Sequence, residues 1–148
     1  MTQITVEIPQ AQEFLKALSR APEITTRELH QALTKSAFEI ERYSKEESPI
    51  KSGRLRSSIS SDIRPLEAVI SPRVNYAVFV HEGTQAHRIF PTAKRALFWK
   101  GANHPVRSVF HPGTKANPFM RRGLDRAEPA IDRHFDRALQ NVVEFLAR

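Results

Sequence analysis

The feature that most constrains this chain is a change of hydrophobic period about a third of the way along it. Behind Thr25, the residues Leu29, Leu33, Ala37, Ile40 and Ser44 recur at three-to-four spacing, and Phe38 and Tyr43 widen the stripe. Glu28, Lys35, Glu39, Arg42 and Glu46 take the other faces. This is the pattern of an amphipathic helix, about 22 residues and roughly 33 Å long. Thr25 and Glu28 have capping-box spacing at its start, and Pro49 follows its end. From Leu55 the period is two. Leu55, Ser57, Ile59, Ser61 and Ile63 fall on one face, while Arg56, Ser58, Ser60, Asp62 and Arg64 fall on the other, which predicts a strand. A chain that switches period in this way lays a helix stripe against one face of a sheet.

The remaining segments extend that plan. Ile4, Val6 and Ile8 predict a short strand ended by Pro9, and Ala11–Ser19 a short helix carrying Phe14, Leu15 and Leu18, with Pro22 as a break. Glu67–Ser71 reads as a second strand of the meander. Val74–His81, apolar on both faces, reads as a central strand. Ala96–Trp99 and Val106–Phe110 predict a hairpin around Lys100–Pro105, where Gly101 and Asn103 supply turn chemistry. Asn117 followed by Pro118 reads as an N-cap with proline at the first helical position. The last helix carries Ile131, Phe135, Leu139, Val142 and Leu146, and Pro129 kinks or restarts it. The expected fold is α+β: an antiparallel twisted sheet of about 4–6 strands, a meander plus a projecting hairpin, packed against a long N-terminal helix and a C-terminal helix. Residues 1–148 form one domain in this reading, with 1–21 as an N-terminal extension and 22–140 as the core.

Charge is uneven. From Pro49 to Arg122 there are 13 basic residues against three acidic ones, while the two flanks together hold 10 basic and 13 acidic residues. A basic middle between mildly acidic ends suits nucleic acid or an acidic protein surface. The absence of Cys excludes disulfide scaffolds and thiol chemistry. No apolar run has the roughly 18–20 residues that cross a bilayer, so no membrane partner is expected.

Enzyme chemistry finds little material. His81-Glu82 lacks the second histidine of a zincin helix, and a nuclease using His104 and His111 lacks the ordered helix that would hold its metal. There is no nucleophile elbow and no glycine-rich phosphate cradle, and the middle holds only Asp62, Glu67 and Glu82 as carboxylates. No catalytic, cofactor-binding or metal-ligating residue is assigned.

Three stretches remain, each with a structural reason. Ser48–Ile59 holds Gly53, which permits a tight reversal after Pro49. Tyr76–Thr84 ends on Gly83, where the chain turns. His111–Met120 leads through Pro118 to Phe119, the first core anchor of the last helix. Gly53, Tyr76, Gly83, Thr84, Pro118 and Phe119 are therefore read as structural residues. In this order and spacing the three stretches resemble the small tail-component family of long-tailed phages and prophages, over about residues 23–140. Members of that family act as neck, tail-completion or head–tail connector proteins. The resemblance implies a non-enzymatic virion protein without cofactor, assembled in the host cytoplasm and built into a homo-oligomeric ring of about six copies. It also implies neighbouring head-completion and tail-tube proteins as partners, and DNA passing through the lumen without sequence readout.

Two surfaces follow for His87–Phe110. Phe90, Phe98 and Trp99 are candidate anchors on a neighbouring ring, or else close the core beneath a loop. Arg88, Lys94, Arg95, Lys100 and Arg107 are candidate lumen-facing cations that neutralise phosphate. The alternative function is a basic, sequence-independent nucleic-acid-binding module.

Overall fold

A computed structural model describes residues 11–147, with side chains from residue 19 onward. The expected strand at Ile4–Ile8 lies outside the described residues. Two long helices dominate. α1 runs Ala11–Glu47 and α4 runs Phe119–Leu146. They pack antiparallel, because Glu47 meets Arg122 and Glu28 meets Asn141. Between them in sequence come α2 (Arg54–Ser58), β1 (Ile59–Arg64), β2 (Glu67–Pro72), α3 (Ala77–Glu82), β3 (His87–Ile89) and β4 (Val109–His111). The α+β class with its long N-terminal and C-terminal helices is as expected. Among the described residues, however, the strands make two separate two-stranded antiparallel ribbons, β1–β2 and β3–β4, in place of one sheet.

α1 has 37 residues, about 55 Å. The helix passes through Pro22, where a break was expected, and through Thr25, where a cap was expected. A proline inside a helix removes one backbone hydrogen bond. Packing against α4 holds the segment nevertheless: Ile24 is buried, and Arg20 lies 5.7 Å from the Phe145 ring. Glu28 turns its carboxylate to Asn141 (2.7 Å) instead of back to its own helix start. α4 likewise continues through Pro129 without restarting. It begins one residue later than expected, with Pro118 at its N-cap. Asn117 is engaged elsewhere, its Oδ1 accepting from Arg122 at 2.7 Å.

The seam between α1 and α4 is lined by small residues. Ala32, Ser36, Ala37 and Ser44 of α1 are buried, as are Gly123, Ala127, Ala130 and Ala138 of α4. Small side chains let helix axes approach closely. At Gly123 a Cβ would lie 2.6 Å from the Cα and N of Ser44. Phe38 and Leu139, expected in the core stripes, are exposed instead because the small-residue seam lies to one side of them.

Three further expectations are corrected. Residues 54–58 are helix α2 rather than the start of the strand. Leu55 and Ile59, both buried, use helical four-residue spacing across this turn, and the Ser57 and Ser58 hydroxyls donate to the Arg54 and Leu55 carbonyls. Val74–His81 is not a central strand, since Ala77–Glu82 form helix α3. Ala77 is buried, and the His81 ring, one helical turn on, meets Phe119 edge-on at 5.6 Å. Gly83, expected to end a strand, caps this helix at its C-terminus. Finally, Ala96–Trp99 and Val106–Phe110 meet in one bridge, Leu97 with Val106, while Val109 and Phe110 pair with β3.

The meander's first turn is as expected. β1 and β2 pair from Ile59–Pro72 to Arg64–Glu67. The ribbon lies along α1, where the Ser61 hydroxyl donates to Glu41 at 2.6 Å.

Candidate functional site

The three sequence stretches converge in space. Leu55 and Ile59 of the first, Ala77 of the second and Phe119 of the third form one buried cluster, with Val80 and Met120 packed against it. Gly53 precedes α2 with φ 76°, and Tyr76 precedes α3. The carbonyls of Val80 and His81 at the end of α3 both accept from the Asn117 N–H, at 3.0 and 3.1 Å.

Next to that cluster the chain is latched. Thr84 and Thr114 exchange backbone hydrogen bonds of 3.0 and 3.1 Å, and their hydroxyls lie 2.9 Å apart. The latch needs glycine on both sides. Gly83 and Gly113 have φ of 75° and 87°. A Cβ on Gly83 would come within 2.5 Å of the Thr114 carbonyl oxygen, and one on Gly113 would strike that of Thr84.

Beyond the latch, residues 85–113 form an arm. β3 and β4 pair from His87–His111 to Ile89–Val109, and the His87 and His111 rings stack 5.2 Å apart. Farther out, Leu97 and Val106 bridge, and the turn after Trp99 closes with Ala102 N–H donating to the Trp99 carbonyl at 2.9 Å. The arm leaves its large apolar groups in solvent. Phe90 is 62% exposed, Phe98 67%, Trp99 49% and Phe110 61%. Trp99 and Phe98 therefore do not close the core of this chain. Phe110, which the sequence hid inside an alternating strand, adds to this surface. A groove of about 490 Å³ lies where the arm meets α3, lined in part by Tyr76, Phe79, His87 and His111.

The arm's charge is one-sided. From Gly83 to Leu124 there is no Asp or Glu. Arg88, Lys94, Arg95, Lys100 and Arg107 are exposed, and among the described residues none of them forms an ion pair. Arg88 donates to the Ser108 hydroxyl at 3.5 Å.

The junction of α1 and α4 is the opposite. Arg122 and Arg126 grip Glu47 at 2.8 and 2.7 Å, and Arg126 also reaches Glu46 at 2.9 Å. The Tyr43 ring takes the guanidinium of Arg42 at 3.9 Å and that of Arg126 at 4.4 Å. Hydrogen bonds from Arg122, then Arg126, hold the Glu47 carboxyl below its ordinary range.

His104 and His111 both lie in the arm. Among the described residues no group of three His, Cys, Asp or Glu side chains is placed to hold a metal ion, and no helix is long and apolar enough to cross a membrane.

No curated protein and no solved structure matches the chain. A family does match: residues 12–83, just under half of the chain, fit the family described as "Bacteriophage HK97-gp10, putative tail-component". That stretch takes in most of α1, α2, the β1–β2 ribbon, α3 and Gly83, while the arm and α4 lie beyond it. The family found is the kind that the sequence motifs resemble, a tail component of phages, and it supports a structural role for this chain in association with the virion.

Proposed function

We propose that the protein is a tail-completion or neck subunit that assembles with copies of itself into a ring joining tail to head, leaves a passage for DNA and performs no covalent chemistry. One observation carries this reading. A closely packed helix pair holds up an arm whose aromatic residues stand about half exposed or more among the described residues, as expected of a subunit completed by its neighbours. The tail-component family supports the same role.

Electron microscopy of particles from a phage lacking this gene tests it. Free heads beside unjoined tails indicate a connector, and overlong tails indicate a terminator. Normal virions from the deletion overturn the reading.

The five arm cations, which form no ion pair among the described residues, favour a second reading, a nucleic-acid-binding module without sequence preference. It predicts tight DNA binding by the free protein that weakens steeply as salt rises. Negligible binding at low salt removes it.

A further inference from the structure

The outward face of α4 matches the arm in both charge and apolar character. Arg121, Asp125, Glu128, Asp132, Asp136, Leu139 and Val143 follow one another at steps of three or four residues, so they share one stripe. The buried residues of α4, among them Gly123, Ala127, Ala130 and Ala138, lie on the opposite side, so the stripe points away from α1. Its first part is acidic. Arg121 and Asp125 pair at 2.9 Å, while Glu128, Asp132 and Asp136 have no ion-pair partner among the described residues. Its last part is apolar, with Leu139 58% and Val143 63% exposed. From Asp125 to Val143 the stripe is about 27 Å long.

A solvated helix face explains the carboxylates but not the Leu139 and Val143 pair one turn apart. The arm shows the converse combination, cations and uncovered aromatics with no acid across residues 83–124.

We propose that the arm of one copy docks on the outward face of α4 of the next copy. Lys94 and Arg95 meet the acidic part there, and the arm's aromatic side chains cover Leu139 and Val143. The contact uses two different surfaces, so it is heterologous and propagates around a closed ring. Opposite charges fix its direction and register. This proposal rests on the self-assembly reading above, and it assigns the arm's cations to the neighbouring subunit rather than to the lumen. DNA would take the cations but would leave the α4 stripe without a partner.

Charge reversal tests it in the full-length chain, read by sedimentation with thermal melts as the folding control. Lys94→Glu with Arg95→Glu is one variant, and Asp132→Lys with Asp136→Lys is the other. Each alone loses self-association while keeping the parent's melt. An equimolar mixture of the two variants assembles again, because each arm then finds a complementary α4. Assembly that persists in either variant, or a mixture that stays unassembled, overturns this contact and leaves the ring reading standing. A parent chain that stays monomeric at its highest soluble concentration, even with tails and connectors present, overturns both. Salt-sensitive DNA binding lost in the Lys94/Arg95 variant, with self-association unchanged, assigns the cations to nucleic acid and also overturns the contact.

Discussion

The α1–α4 seam and the arm are built on opposite principles. Along the seam, small residues bring two helices together and Arg122 and Arg126 are satisfied by Glu46 and Glu47. In the arm, Phe90, Phe98, Trp99 and Phe110 stand in solvent, and five cations have no ion-pair partner among the described residues. Burial and the arginine–glutamate pairs make the seam a source of stability, because these groups lose their partners on unfolding. The arm gains little within its own chain, and its free groups are the ones the proposed contact would engage. One region keeps the chain folded, while the other is left exposed.

The sharpest way to break this contrast is to damage the cluster that anchors the arm's base. Phe119 is fully buried, so Phe119→Ala should cost about 4 kcal/mol and be visible in a denaturant titration. A loss below about 1 kcal/mol would mean that the three motifs do not form one core. Next is Gly123→Ala. Its Cβ meets the backbone of α1 at Ser44, which cannot swing aside, so a loss of about 2 kcal/mol is expected by the same titration. The reverse sign is expected at Ser44, whose buried hydroxyl finds no hydrogen-bond partner among the described residues. Ser44→Ala should stabilise by about 1 kcal/mol. The smallest effect on folding belongs to the arm: Trp99→Ala should leave stability within about 0.5 kcal/mol while self-association is lost, as gel filtration would show. A collapsed melt would instead place Trp99 among the residues that hold the subunit together.

Acid sharpens the contrast from another side. The Glu47 carboxyl is held below its ordinary value by Arg122 and Arg126, and that of Glu28 by Asn141 and Arg27. A carboxyl whose folded value is depressed contributes stability above its unfolded value and loses it as pH falls through the folded one. The helix pair should therefore weaken below the usual carboxylate range. Glu47→Gln should flatten that part of the stability–pH curve, measured by melts across the acid range. An unchanged curve would show that the Glu47 pairing contributes nothing measurable.

Several elements were legible because their causes are local. The stripe behind Thr25 and the stop before Pro49 mark the second part of α1. The turn between β1 and β2 and the last helix with its start near Pro118 are equally plain. Of the residues read as structural, Gly83 ends a helix rather than a strand, Thr84 bonds Thr114, and Phe119 lies in the buried cluster. α3 was misread because a short run of apolar residues has no period long enough to separate helix from strand. The seam was hidden for a different reason. Ser36, Ser44 and Gly123 carry no hydrophobic signal, and their importance comes from the close approach of a helix far away in sequence. The same holds for Leu139, which fits a helical stripe but faces away from α1.

By itself, the sequence determined the two long helices, the acid-free basic stretch from Gly83 to Leu124 and the three motifs at which the chain turns. These follow from periodicity, residue count and backbone preference, all properties of neighbours in the chain. Only the tertiary structure decided that the motifs share one core around Phe119, that the strands split into two ribbons and that the arm's aromatics stand uncovered. Exposure depends on what lies across from a side chain, and here the residues that meet are separated by tens of positions along the chain.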